Sequence, residues 1–187
     1  GRCKVCNYNY DGQEILHLYL MAGDCVGDWG LLIDQPRMNN TISVGSSEVN
    51  VLRKTHFNNL YDRFPEIARA LNRVMARRLR LTFMLTEDAS LLPLRQRLAR
   101  VIIRMGYSLG HLDQDGCTII EDISQDELSK MVGAARPSVG RELKRFEQEG
   151  SIDICYGKLI IKDLAFFSEE YDRLMAVEPV VPDYGSR

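Results

Sequence analysis

Histidine, tryptophan and regularly spaced cysteine are scarce in this chain of 187 residues, and each shortage excludes something. Its three histidines (His17, His56 and His111) show no metal-ligand spacing, and neither a nucleophile motif nor a phosphate-cradling loop accompanies them. No catalytic or metal-ligating residue is therefore assigned, and the chain is not expected to be an enzyme. Five cysteines (Cys3, Cys6, Cys25, Cys117 and Cys155) are odd in number and dispersed, which argues against a disulfide framework and for reduced thiols. Cys3-x-x-Cys6 is the one close pair, but in a strand positions three apart face opposite sides, and no second pair completes a zinc site. No apolar run approaches the roughly 18–20 residues of a membrane span. Gly1-Arg2-Cys3-Lys4-Val5-Cys6 lacks the apolar stretch of a signal peptide, so the cytoplasm is the expected location and no membrane partner is expected.

The chain also lacks net charge: 24 basic and 26 acidic residues leave −2. The balance hides a division. Residues 1–52 carry three basic and six acidic groups, residues 53–104 carry twelve and four, and residues 105–187 carry nine and sixteen. A basic middle suits either a polyanion partner or a long helix with a solvated arginine face.

Residues 1–52 read as antiparallel strands. Asp11-Gly12 marks a hairpin turn between Cys3–Tyr8 and Ile15–Leu20, Gly23, Gly27 and Gly30 punctuate a loop after it, and Ile42–Val44 and Val49–Leu52 read as two further short strands. Such a set is short of a closed roll and would leave open edges, so the chain reads as starting in mid-domain. From Lys54 the period becomes helical. Thr55 is placed to cap a helix through Tyr61, and Pro65 to open a long one over about residues 65–87. Ile67, Leu71, Val74, Leu81 and Leu85 recur on its apolar side, as a dimer seam or as packing against a neighbouring domain. Pro93 breaks the pattern, and Leu94, Leu98, Val101, Ile102 and Met105 begin a second unit. The reading is thus of two domains, 1–90 and 91–187.

The sharpest signal lies between Ile123 and Phe146. Ser124 and Glu127 form a capping-box pair before the short apolar run Leu128, Met131, Val132. Gly133 stands where a helix ends in a left-handed residue, and Pro137 falls in the first turn of the next. Val139, Leu143 and Phe146 then point inward. At about 100° per residue, Pro137, Arg141 and Lys144 take the opposite face, flanked by Ser138 and Arg145, with Arg136 at the front. This is a helix-turn-helix whose arginines suit guanine edges, with Ser124, Ser138, Lys144 and Arg145 placed for phosphates. Ser151–Cys155, the Tyr156-Gly157 turn and Lys158–Lys162 follow as a β-hairpin, with Cys117–Ile120 as a third strand, which makes the unit winged. Lys158 at the hairpin tip is a further phosphate candidate. Beyond it, Leu164, Phe167, Tyr171 and Leu174 space a terminal helix ahead of a Pro179–Pro182 tail.

The order of parts resembles the Crp/Fnr family of bacterial transcription regulators, of the cyclic-AMP receptor type. The resemblance rests on Gly23-Asp24, Gly27-Asp28-Trp29-Gly30-Leu31, Met75-Ala76-Arg77-Arg78-Leu79 and Ile123–Arg145, and covers about residues 1–162. It implies an α+β fold: a β-roll sensor, partial here because its first strands are missing, a long dimerisation helix, and a winged helix-turn-helix. It further implies a homodimer on an inverted-repeat site in double-stranded DNA, modulated by an effector and able to touch RNA polymerase. Base reading then falls on Arg136, Pro137 and Arg141, where Pro137 replaces a common glutamate. The implied effector pocket comprises Gly27, Asp28, Trp29, Arg37, Asn39, Asn40, Thr82 and Phe83. Asp28 stands for a glutamate, Arg37-Met38 for an Arg-Ser pair, and Phe83 for a serine, so cyclic AMP is one possible effector and its identity stays open. Two other readings are a ligand-binding or protein-interaction module whose helix-turn-helix is scaffold only, and a truncated DNA binder that needs no effector.

Overall fold

Lys54, where the strand period gives way to a helical one, is also where a ten-residue helix begins. The computed structural model describes residues 1–172, which divide into two compact units, Gly1–Ala76 and the part from Arg77 onward. Leu174 and the Pro179–Pro182 tail lie outside the described residues.

In the first unit β1 (Arg2–Tyr8) and β2 (Glu14–Leu20) form the expected hairpin, and β3 (Asn40–Val44) adds to the other side of β1, giving the order β2-β1-β3. Asn9 builds the turn: its Oδ1 accepts from the amides of Asp11 at 3.0 Å and Gln13 at 2.8 Å. The hairpin is not regular. Val5 pairs with Leu18 but Cys6 with Leu16, so His17 is the extra residue of a bulge in β2. That insertion lets Leu16 and Tyr19, three apart, both be buried. Arg2 lies 4.7 Å over the Tyr19 ring, and Lys4 donates to Glu14 at 2.5 Å.

Four expectations need correction here. Val49–Leu52 forms no strand; these residues are exposed and pair with none of the described strands, so the β-propensity of Val49 and Val51 finds no ladder. Asp28–Leu32 forms a short helix, α1, after Gly27 at φ 86°, where a glycine-punctuated loop is expected. The next helix, α2 (Lys54–Arg63), starts after Arg53, which leaves Thr55 inside its first turn and not at its cap. Helix α3 (Pro65–Leu91) runs four residues beyond the expected Glu87.

The second unit takes in the end of α3, then α4 (Leu94–Leu109), α5 (Gln125–Val132), α6 (Arg136–Gln148) and α7 (Leu164–Asp172). Its sheet has the order β4-β5-β7-β6, from β4 (His111–Leu112), β5 (Thr118–Glu121), β6 (Ile152–Cys155) and β7 (Lys158–Ile161). Leu98, Ile102, Ile120, Val139, Phe146, Ile152 and Ile161 are sealed from solvent and form its core. Each such side chain is worth roughly 1.5–3 kcal/mol of burial. A buried ion cluster ties α3 to α4: Asp88 Oδ1 lies 2.8 Å from Arg100 Nε, and Asp88 Oδ2 3.0 Å from Arg104 Nη1. No helix among the described residues is long and apolar enough to cross a membrane.

His17, in the bulge of β2, is half-buried; its Nε2 finds no hydrogen-bond partner among the described residues, and burial lowers its pKa from the ordinary 6.5. A base with a lowered folded pKa contributes its full stability above the ordinary value and loses it as pH falls, because the unfolded chain then takes the proton more readily. Denaturant titration of the protein should show a midpoint that drops between about pH 7 and pH 5, and His17→Gln should remove that part of the drop. The Ser124 cap is open to the same assay: Ser124→Ala should destabilise the protein by about 0.5–2 kcal/mol, and Ser124→Asp should restore most of it.

Candidate nucleic-acid interface

The geometry of the helix-turn-helix starts at Ser124. Its Oγ accepts from Glu127 N at 3.1 Å and donates to Glu127 Oε2 at 2.8 Å, while the Ser124 amide donates to the same carboxylate oxygen at 2.9 Å. Helix α5 therefore begins on a complete capping box. The same bonds occupy the hydroxyl and amide that could have met a phosphate, and Asp126 and Glu127 place two acids in that first turn. The helix stops at Gly133, φ 62° and ψ 44°, a left-handed conformation that glycine enters without a side-chain clash.

Helix α6 opens after Ala135 with Pro137 in its first turn, as the sequence predicts. At Gly140 an added Cβ would stand 3.1 Å from Gln125 Oε1, so α5 and α6 cross where a side chain has little room. Val139, Leu143 and Phe146 are at most 1% exposed. Arg95 of α4 seals this face from behind: its guanidinium lies 4.3 Å from the centre of the Phe146 ring, pairs with Glu149 and sits 3.7 Å from Glu142. It also donates to Tyr171 Oη at 3.0 Å, and Phe167 and Tyr171 of α7 meet Phe146 edge to face at 5.4 and 5.7 Å.

With its inner stripe fixed, α6 turns Arg136, Pro137, Arg141 and Lys144 to solvent. Arg136, Arg141 and Lys144 form no ion pair among the described residues. Arg141 instead donates through Nη2 to Ser138 Oγ at 3.1 Å. Arg145 is pulled aside by Glu142 at 2.9 Å. On the wing, Lys158 reaches Glu121 at 2.6 Å; that hydrogen bond raises the lysine pKa and lowers that of Glu121. Lys162 pairs with Asp153. The wing tip itself is Tyr156, fully exposed beside Gly157 at φ 67°.

In the first unit, Gly27, Asp28 and Trp29 form the start of α1 and Arg37 packs against it, whereas Asn40 opens β3 opposite Cys6, with Asn39 just before it. The Arg37 guanidinium packs on Gly27: a Cβ there would stand 2.8 Å from its Cζ and Nη1. Arg37 has no side-chain partner among the described residues. Asp28 is buried and its carboxylate accepts from the Cys25 thiol at 3.5 Å. Thr82 and Phe83 belong to the second unit; the Thr82 hydroxyl donates to the Arg78 carbonyl at 2.9 Å, and Phe83 is 60% exposed. Of the seam residues, Ile67, Leu71, Val74, Leu81 and Leu85 are all half-buried on α3. Leu79, 57% exposed and one turn before Phe83, is an apolar residue outside the seam expected from sequence, although the four-residue step to Phe83 marks it. Arg95 escapes sequence reasoning for a different reason, since its partners, from Glu142 to Tyr171, lie 47 to 76 positions away in the chain and leave no local trace.

Comparison with known proteins bears on both units. Residues 96–169 match the Crp-like helix-turn-helix domain family, and residues 1–64 the cyclic nucleotide-binding domain family. The cAMP-activated global transcriptional regulator CRP of Pasteurella multocida is 30% identical over 165 residues, which cover 86% of this chain and 77% of that one. A CRP-like cAMP-activated global transcriptional regulator of Mycobacterium tuberculosis is 24% identical over 163 residues, covering 87% and 73%. Among solved structures, a CRP/FNR-family transcriptional regulator of Thermus thermophilus superposes with a TM-score of 0.76 at 20% identity, covering 92% and 84% of the two chains. A CooA mutant of Carboxydothermus hydrogenoformans gives 0.74 at 21% identity, covering 91% and 75%. These likenesses extend the α+β reading to a sensor fold joined to a winged helix-turn-helix, and they set aside the scaffold-only reading of the two helices. The chain belongs to the Crp/Fnr family of DNA-binding transcription regulators.

Proposed function

We propose that the protein acts as a homodimer on an inverted-repeat site, with Arg136, Pro137 and Arg141 facing base edges and Lys144, Arg145 and Lys158 holding phosphates. The observation that carries this reading is the outward face of α6, where Arg136, Arg141 and Lys144 have no acidic partner among the described residues while Val139, Leu143 and Phe146 are buried. Cations left unpaired at the front of a helix are free to meet guanine O6 and N7 and the flanking phosphates. Residues 1–90 would serve sensing and dimerisation, residues 91–187 DNA binding, and the work of both belongs in the cytoplasm. RNA polymerase is a further partner in this proposal.

The effector cradle is assigned to Gly27, Asp28, Trp29, Arg37, Asn39 and Asn40. Arg37, unpartnered among the described residues, favours an anionic effector, and cyclic AMP is the first candidate because the relatives above are cAMP-activated. Thr82 and Phe83 enter through the family resemblance alone. An effector would act by shifting the population of DNA-competent dimers.

Selection from a random duplex library, with and without cyclic AMP, tests this reading. An inverted repeat with half-sites about one helical turn apart, roughly 34 Å, is the expected product. Enrichment that requires the nucleotide would support the cradle, and enrichment without it the effector-independent alternative. On the selected site Arg141→Ala should lose about 1–3 kcal/mol of discrimination at one base pair, whereas Lys144→Ala and Lys158→Ala should weaken all sequences alike. Equal losses on selected and random DNA for Arg141→Ala would remove it from base reading.

The dimer is assigned to α3 through Ile67, Leu71, Val74, Leu81 and Leu85, extended by the exposed Leu79 and Phe83. Light scattering should find Leu71→Glu monomeric. Leu79→Glu, at an exposed position, should do the same without loss of folding, and a dimer surviving both would move the interface off this helix.

A further inference from the structure

The two arginines assigned to base reading are held differently. Arg136 extends from the front of α6 without a side-chain partner among the described residues, whereas Arg141 Nη2 donates to Ser138 Oγ at 3.1 Å. We propose that Ser138 is a positioning residue: it holds the Arg141 guanidinium in the orientation that reads a guanine, and is not itself a phosphate ligand. The inference rests on the base-reading role given to Arg141 above.

Spacing makes the contact possible, because residues three apart on a helix are neighbours on one face. Competition is also absent. Glu142, the acid next to Arg141 in sequence, is engaged by Arg145 at 2.9 Å and approached by Arg95 at 3.7 Å. A hydroxyl suits the position better than an acid would. A carboxylate at the same place would bind the guanidinium more strongly and cancel the charge that has to meet DNA. Reading capacity is not lost either. A guanidinium carries five N–H donors, and a guanine edge takes two, so one bond to Ser138 leaves enough. What the bond supplies is order before binding. An unrestrained arginine loses rotamer freedom when it docks on a base, and one already oriented loses less.

The two roles open to Ser138 differ in their consequences. As a phosphate ligand its hydroxyl would donate to DNA, and its removal would weaken every sequence equally. As a positioning residue its oxygen accepts from Arg141, and its removal falls on one base pair.

Affinities of the wild type, Ser138→Ala, Ser138→Thr, Arg141→Ala and the Ser138→Ala/Arg141→Ala double variant would be measured on the selected duplex, on its variants at each base pair, and on random duplex. Ser138→Ala should reduce the preference for the matched base pair about 2- to 10-fold and leave random-duplex affinity unchanged. Ser138→Thr, which keeps the hydroxyl, should retain the preference. In the Arg141→Ala background, Ser138→Ala should have no further effect on that base pair. Because each preference is a ratio within one preparation, partial unfolding does not produce it. A uniform loss on matched and random DNA, an unchanged preference, or an equal effect in both backgrounds would overturn the positioning role. If Arg141→Ala alone leaves every base preference intact, the base-reading assignment falls and the role of Ser138 falls with it, an outcome visible before Ser138 is touched.

Discussion

Burial of one stripe of α6 is the constraint on which the DNA-facing surface depends. Val139, Leu143 and Phe146 can be dry only in one rotation of the helix, and that rotation sends Arg136, Arg141 and Lys144 outward. Arg95 and the aromatic pair Phe167 and Tyr171 make the rotation stiff, since a cation and two perpendicular rings together enclose Phe146. Arg95 also reaches Glu142 and Glu149, one on each side of Phe146, so a single side chain fixes the last two turns of the recognition helix. Rigid placement of this kind would let Arg136 and Arg141, in the proposed role, address fixed base positions without sampling alternatives.

A second constraint acts where α3 meets α4. Asp88 and Arg100 are both almost fully buried, and Arg104 is half-buried beside them. Such a pair adds little to stability over apolar residues of the same size, but loss of one member leaves the other stranded at a cost of about 3–5 kcal/mol. Its effect is specificity of geometry. Placing one arginine against each oxygen of a single carboxylate ties the register of α4 to the end of α3.

The helix-turn-helix was legible because its signals are local. Ser124 with Glu127, Gly133 and Pro137 each fix a backbone event within four residues of themselves, and all three stand in the structure as the sequence implies. Asp11-Gly12 marked its hairpin for the same reason. The misreadings have the opposite origin. Val49–Leu52 has strand-like composition but pairs with none of the described strands, and the His17 bulge exists only in the register between β1 and β2, which no single stretch of sequence contains. Helix α1 was hidden by Gly27 and Gly30, residues that read as loop although one of them merely starts the helix in a left-handed conformation. In the candidate interface the sequence places the cations on α6 and the wing, but which of them are paired comes from the fold. Lys158 and Arg145 look free in sequence and are paired in space.

That pairing bears on how the protein would tell one sequence from another. A chain with a net charge of −2 gains little long-range attraction to DNA from its total charge, so binding has to come from a local field. Around the wing, Glu121 and Asp153 neutralise Lys158 and Lys162, and on α6 Glu142 draws Arg145 away. On the outward face of α6, Arg136, Arg141 and Lys144 have no acidic partner among the described residues. Phosphate contacts add affinity to every sequence alike, whereas contacts to base edges add it to one. In the proposed interface Arg145 and Lys158 would have to exchange Glu142 and Glu121 for phosphate, whereas Arg136 and Arg141 have no acid to leave, which would favour the specific term over the general one, and the ratio of the two is what a regulator needs among many competing sites.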